Sequence, residues 1–218
     1  MKSPIRVLIV DDHELVRAAL RERLQREPKL EVVGEAATAE EAVDEVARLR
    51  PDIVLMDIDM PGMTSFSAAE QIHRIRPDTR IIFLSAYFHD RYIEQALAVK
   101  ARGYLTKRES PTAVVAAILE VMAGGACFSE EIRSRIVLDP KGVKLTSDSK
   151  SRASTLTARE LEVLRYLAHG LAKKEIAKTM HISVKTVDRH SVNLMNKLDI
   201  HDRVELARFA IREGLAEA

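Results

Sequence analysis

Five short apolar runs, at residues 5–10, 30–34, 53–56, 81–84 and 103–105, alternate with helix-like segments through the first half of the chain. No other feature constrains the fold as tightly. Three of the runs are nearly all aliphatic, the pattern of strands buried on both faces of a parallel sheet. Residues 14–26, 40–50, 90–99 and 111–122 space their apolar side chains at helical intervals, with Ser110-Pro111 as a cap and first position. Strand–helix alternation of this kind predicts an α/β doubly wound domain with a five-stranded parallel sheet of the flavodoxin-like type.

Beyond Gly124-Gly125 the pattern fades. A short helix is expected from 129 to about 137, followed by linker composition at Asp139-Pro140-Lys141-Gly142 and Thr146 to Ser151. The remainder is helical. Thr157-Ala158-Arg159-Glu160 is a capping box, Gly170 a C′ residue, and Ser183 and Asp202 open two further helices. A helix over 173–180 joined to the next by His181-Ile182-Ser183 fits a helix-turn-helix. The expected organisation is therefore 1–124 as one α/β domain, 125–152 as a linker with a short helix, and 153–218 as an all-α domain.

Chemistry gathers at the strand ends of the first domain. Asp11 and Asp12 follow the first strand and Asp57 closes the third. In an open parallel sheet, ligands bind outside the carboxyl ends of the strands where their order reverses. For order 2-1-3-4-5 that point lies between the first and third strands. Three carboxylates there call for a cation, and their hard oxygens suit Mg²⁺. Ser85 ends the fourth strand with a hydroxyl, and Lys107 follows the fifth with an ammonium that can pair with a phosphoryl group. Singly, each has an ordinary structural role: Asp12 as a helix cap, Asp57 as turn chemistry, Ser85 as a plain strand end, Lys107 as a solvated cation. Jointly they bring Asp-Asp, Asp, Ser and Lys to one rim.

Asp11-Asp12, Met56-Asp57-Ile58-Asp59-Met60-Pro61-Gly62-Met63, Ser85-Ala86 and Gly103-Tyr104-Leu105-Thr106-Lys107 resemble a response-regulator receiver domain, over roughly residues 4–123. The resemblance implies that Asp57 accepts a phosphoryl group from a sensor histidine kinase. It implies Mg²⁺ held by Asp11, Asp12, Asp57 and the main-chain carbonyl of Asp59. Ser85 and Tyr104 would form the switch pair, the hydroxyl moving onto the phosphoryl group as the ring turns inward. Thr64 and Ser65 stand where the family has an acid and then glycine, Asp59 adds a further carboxylate, and Arg108 replaces the proline after Lys107.

Residues 173–197 carry six Lys and Arg against Glu175 and Asp188, an excess suited to neutralising phosphates, although a Lys run is more often a solvated face. Leu156 to Leu164, Lys174-Glu175-Ile176-Ala177, Ser183 to His190 and Asn196-Lys197-Leu198 resemble a LuxR-type helix-turn-helix, over about 153–216. Together with the receiver, the whole chain resembles a NarL/FixJ-type response regulator. That resemblance implies that the helix begun by Ser183 enters the major groove of double-stranded DNA. By position Asp188, Arg189 and Val192 would read bases: Arg189 on guanine, Asp188 from cytosine, Val192 on a thymine methyl. Lys174, Lys185, Thr186 and Lys197 would hold phosphates or pack beneath. Val187 is expected in the core, and His190 is as readily a buried histidine as a DNA contact. The last helix, with Val204, Leu206, Ala207 and Ala210, would supply a homodimer face on DNA, or simply pack against its neighbours.

Charge fits this division. Residues 1–128 carry 17 basic and 20 acidic side chains, and residues 129–218 carry 17 and 13, so the basic excess lies in the second half. No stretch approaches the roughly 18 apolar residues of a membrane span, and the opening apolar run is too short for a signal peptide; the expectation is cytoplasmic, with no membrane partner. Cys127 is the only cysteine, which excludes an internal disulfide. The expected function is regulatory rather than enzymatic. The competing enzyme reading is a haloacid-dehalogenase-type phosphatase, suggested by Asp57-Ile58-Asp59, but that motif normally closes the first strand and here closes the third. A DNA-binding regulator independent of phosphorylation is the other alternative, opposed by the intact Asp, Ser and Lys set. RNA binding lacks an aromatic stacking platform.

Overall fold

The computed structural model describes residues 3–86, 90–133, 136–139, 142–145, 152–213 and 215–216. They fall into two compact units, each taken here by itself.

The first unit is a parallel sheet in the order β2-β1-β3-β4-β5-β6. Its strands are β1 (Ile5–Val10), β2 (Leu30–Ala36), β3 (Ile53–Asp57), β4 (Arg80–Ser85), β5 (Gly103–Thr106) and β6 (Cys127–Phe128). The connecting helices are α1 (Glu14–Gln25), α2 (Ala39–Leu49), α3 (Ser65–Ile75), α4 (Asp90–Ala98) and α5 (Pro111–Met122), and α6 (Glu130–Arg133) follows β6. Every residue of β3 is buried, as its unbroken aliphatic run requires. Leu20, Leu24, Val114, Ile118 and Val121 of α1 and α5 close over Val7, Ile9, Leu55 and Ile82 in one core. Hydroxyl side chains start three of the helices: Thr38 accepts from the Glu41 N–H, Thr64 from Ser67 and Ser110 from Ala113. β3 lies directly beside β1, so the strand order reverses there and the ends of both strands open into one crevice.

Several expectations need correction. The sheet has six strands rather than five, and the linker expected from 125 begins with a strand of this sheet. Cys127 and Phe128 pair with Gly103 and Tyr104. The Cys127 N–H donates to the Arg102 carbonyl (2.9 Å) and the Ser129 N–H to that of Tyr104 (3.1 Å). Without them β5 would present an open edge. A two-residue strand carries no readable periodicity. Gly103 permits the approach, since a Cβ there would lie 2.9 Å from the Cys127 carbonyl oxygen. The helix expected over 129–137 is also cut short: α6 ends at Arg133, and β7 (Ile136–Asp139) pairs antiparallel with β8 (Gly142–Leu145). Asp139 and Gly142, both read as linker, are instead the paired end residues of β7 and β8, and Pro140 and Lys141 lie outside the described residues. The linker residues 146–151 lie outside the described residues. The helix α3 had no counterpart in the sequence expectation.

Among the described residues the second unit holds the β7–β8 pair, a 3₁₀ turn (Arg152–Thr155) and the helices α7 (Ala158–Ala168), α8 (Lys173–Thr179), α9 (Val184–Leu198) and α10 (Arg203–Arg212). The capping box forms as expected, with the Thr157 hydroxyl accepting from the Glu160 N–H and the Glu160 carboxylate from that of Thr157. Gly170 takes φ +87°, the left-handed conformation of a C′ residue. Ser183 and Asp202 cap α9 and α10.

Candidate functional site

β1 and β3 deliver Asp11 and Asp57 side by side at their carboxyl ends, both fully buried, with Asp12 exposed at the rim. Lys107, just beyond β5, reaches into the same crevice. Its Nζ lies 2.8 Å from Asp57 Oδ2 and 2.7 Å from Asp11 Oδ2. The Asp57 carboxyl is held above its ordinary value, chiefly by burial. The Lys107 charge works against that rise and the Asp11 charge adds to it. The Lys107 ammonium is held above its own ordinary value: burial opposes this, and the Asp57 and Asp11 carboxylates outweigh it.

The donors suit a cation. One oxygen each from Asp11, Asp12 and Asp57, with an imidazole nitrogen of His13, lie within 4.8 Å of one another. Hard carboxylate oxygens with room for water are what a small divalent ion takes. His13 Nδ1 sits 2.8 Å from Asp12 Oδ1 and 3.3 Å from Asp11 Oδ1. The sequence reading did not include this imidazole; its place directly after the Asp pair was the available signal.

The loop after β3 is fastened from several sides. The Asp59 N–H donates to Asp57 Oδ1 (3.2 Å) and the Ile58 N–H to the Leu84 carbonyl (3.0 Å). Ser65, buried at the start of α3, donates its hydroxyl to the Asp57 main-chain carbonyl (2.6 Å). Across the loop, Glu40 of α2 accepts from the Met63 N–H (2.8 Å). The unusual Thr64-Ser65 pair thus supplies the α3 cap and a tie to the residue carrying the buried acid. Sequence reasoning marked these positions only as departures. Asp59 itself is half-buried rather than turned wholly to solvent.

Ser85 and Tyr104 are both fully buried, and the Lys107 N–H donates to the Ser85 carbonyl (2.7 Å). Register places Ser85 one residue beyond Leu84, the partner of Asp57. Asp11, Asp12, Asp57, Ser85 and Lys107 therefore end neighbouring strands, β1, β3, β4 and β5. The described peptide bonds are all trans, including the one that joins Lys107 to Arg108.

In the second unit, α8 and α9 form the expected pair. Val187 is fully buried, whereas Lys174, Lys185, Arg189 and Val192 are exposed on the outer face. Thr186 sits with its hydroxyl 2.8 Å from that of Ser183. Asp188 is engaged by Lys173, whose Nζ lies 2.6 Å from Asp188 Oδ1, so a base would have to compete for that carboxylate. Lys197 departs further from its expected place: its Nζ lies 2.6 Å from Oε2 of the buried Glu160. A buried carboxylate needs a partner, which ties Lys197 to the packing between α7 and α9. His190 is half-buried; burial first, then the Arg189 charge, holds its imidazolium below the ordinary value. In α10, Leu206 and Ala210 are buried, leaving Val204 and Ile211 exposed.

Comparison with known proteins agrees with both halves. Residues 7–119 match the response regulator receiver domain, and residues 154–210 match the luxR family of bacterial regulatory proteins. The response regulator protein VraR of Staphylococcus saprophyticus is 32% identical over 98% of this chain and 100% of its own length. A two-component response regulator of the LuxR family from Aurantimonas is 34% identical, with a TM-score of 0.58 over 61% of this chain and 94% of that one. The response regulator RcsB of Salmonella typhimurium, at 23% identity, superposes with a TM-score of 0.72 over 98% of this chain and 100% of its own, a likeness of fold. With a receiver sheet holding a buried acidic crevice, followed in sequence by a luxR-type helical unit, the chain belongs to the response regulators that couple a receiver to DNA binding and regulate transcription.

Proposed function

We propose that Asp57 is the phosphoacceptor of this regulator, that a sensor histidine kinase is the donor, and that Mg²⁺ is the metal required. The reading rests above all on the buried Asp57 carboxylate held beside Asp11 and the Lys107 ammonium. Asp11, Asp12, Asp57 and the main-chain carbonyl of Asp59 would hold the ion. When bound, Mg²⁺ supplies positive charge that lowers the repulsion between Asp57 and an incoming phosphoryl group. In the transfer, an Asp57 carboxylate oxygen forms the new P–O bond and the P–N bond to the kinase histidine breaks. That imidazole keeps the electron pair and takes up a proton. Lys107 exchanges its pairing with the carboxylate for the phosphoryl oxygens, and the Ser85 hydroxyl donates to another. Tyr104 is the proposed partner of Ser85 in the switch.

The same reading assigns the outer face of α9 to double-stranded DNA. Arg189 and Val192 would meet base edges, with Asp188 doing so only if it leaves Lys173. Lys174, Lys185 and Thr186 would hold phosphates. A homodimer on DNA would use the exposed Val204 and Ile211 of α10. No described helix is long and apolar enough to cross a membrane. We place the protein in the cytoplasm, and we give it no enzymatic role, on its family and its proposed DNA partner. The organisation proposed is a receiver over 1–124, a connection over 125–152 whose first residues complete the sheet, and a DNA-binding domain over 153–218.

The test is intact-mass analysis with a small-molecule phosphodonor. The wild-type protein should gain one phosphoryl group only with Mg²⁺, and Asp57→Ala should gain none. An equal gain in the variant would refute the assignment.

A further inference from the structure

At the opposite ends of the strands from Asp57 lies a cavity of about 400 Å³, lined by His73, Pro77, Asp78, Thr79, Arg80, Lys100 and Arg102. It is formed by the end of α3, the turn into β4 and the turn between α4 and β5. Three full cations face it. Among the described residues, none of Arg80, Lys100 and Arg102 lies within ion-pair distance of a carboxylate, and Asp78, the one acid in the lining, bridges to none of them. Arg80 is steered by the Val121 carbonyl, which accepts from its guanidinium at 2.7 Å and leaves its charge uncompensated. Two of the three sit at conformationally defined places. Lys100 takes φ +57°, and Arg102 donates its N–H to the Ile81 carbonyl (2.8 Å) at the start of β5.

His73 forms part of the cavity wall, with its Nε2 buried and out of reach of a molecule in the cavity. Burial, opposed by the Val99 main chain and reinforced by the Lys100 and Arg102 charges, keeps the imidazolium below its ordinary value. Arg80, Lys100 and Arg102 bring three like charges to one cavity wall, and each could donate to an anion held between them. A second concavity of about 370 Å³ shares His73 and Lys100 and extends over Ala98 and Val99 to Glu70. Cavities of this size accept small ligands, commonly in about 300–1,000 Å³.

We propose that this cavity binds a small diphosphate-bearing molecule, inorganic pyrophosphate or a nucleoside diphosphate, through Arg80, Lys100 and Arg102. The three cations outnumber the single acid Asp78, and three separate donors suit two linked phosphoryl groups better than one. The adjoining concavity gives a nucleoside a place to lie. The site is separate from the phosphoacceptor crevice, so its occupation and the labelling of Asp57 are independent measurements.

The experiment is calorimetric titration of the full chain, freed of divalent metal, with pyrophosphate, ADP, inorganic phosphate and sulfate at fixed ionic strength. Pyrophosphate should bind one to one and more tightly than phosphate or sulfate. ADP tighter than pyrophosphate identifies the nucleotide as the natural class; pyrophosphate tighter than ADP identifies the inorganic ion. Lys100→Gln and Arg102→Gln, both exposed positions, should each weaken binding about tenfold, the worth of one charge-assisted hydrogen bond. Their thermal unfolding and their Asp57 labelling by a phosphodonor should match wild type. His73→Gln should weaken binding less than either. The proposal is overturned if no heat is seen, if sulfate binds as well as pyrophosphate, or if the two Gln variants bind like wild type. Asp57 labelling could fail without touching this result.

Discussion

Lys197 separates a structural role from a DNA contact, and Lys197→Gln reads the difference. Its ammonium lies 2.6 Å from Glu160 Oε2, on a Glu160 side chain only 4% exposed, while Lys197 itself is 37% exposed. The same oxygen accepts from the Thr157 N–H (2.8 Å), so the pair also anchors the start of α7. A hydrogen bond to a charged group is worth about 1.5–3 kcal/mol, and partial exposure of the lysine draws the expected loss down to about 1–2 kcal/mol. In a helical domain of this size, about 1 kcal/mol displaces Tm by about 4–8 °C. Scanning calorimetry should therefore show the helical unit melting lower in the variant, with the receiver transition unmoved. Burial works to raise the Glu160 pKa, but the Lys197 and Thr157 hydrogen bonds outweigh it and leave the carboxyl below its ordinary value. A depressed folded pKa contributes stability that is present above the unfolded value, about 4.3, and is lost as pH falls through the folded one. The variant should lose less than wild type over that acid range. At 20 °C its DNA affinity should stay within about twofold of wild type, with the salt slope unchanged. A salt slope shallower by about 0.9 with Tm unaltered would mean that Lys197 neutralises a phosphate, and the structural reading would be refuted.

Arg189→Ala should cost about 1–3 kcal/mol on the cognate DNA and relax preference at one base pair, measured by competition binding over a set of single-base variants. Lys185→Ala should weaken all sequences alike and reduce the salt slope by about one; a uniform loss for Arg189 as well would move it to the phosphate contacts. Ser65→Ala removes the donor to the Asp57 main-chain carbonyl while leaving the Thr64 cap. It should slow phosphodonor labelling of Asp57 several-fold, with the loss recovered in part by Ser65→Thr; labelling at the wild-type rate would show the tie to be incidental.

Much of this was legible from residues alone, because the signals were local or periodic. Aliphatic runs give β1, β3 and β4, since a strand covered on both faces has no polar side chain to place. Ser110-Pro111, Thr157 to Glu160 and Gly170 mark helix ends because a cap is made by residues within one turn of each other. Asp11, Asp12, Asp57, Ser85 and Lys107 could be set on one rim because each directly follows or closes a parallel strand. What the sequence could not decide depends on partners far along the chain. β6 exists because the edge of β5, some twenty residues earlier, has main-chain groups to pair, and two residues carry no period. The pairings of Lys197 with Glu160 and of Lys173 with Asp188 join different helices, so linear spacing gave them no trace. The Ser65 hydroxyl reaches the Asp57 carbonyl only once α3 has docked beneath its loop. The cluster of His73, Arg80, Lys100 and Arg102 is scattered over thirty residues, each one ordinary in its own segment. Only the folded sheet, by bringing the ends of two helices and two strands to one corner, turns those separate charges into a cavity.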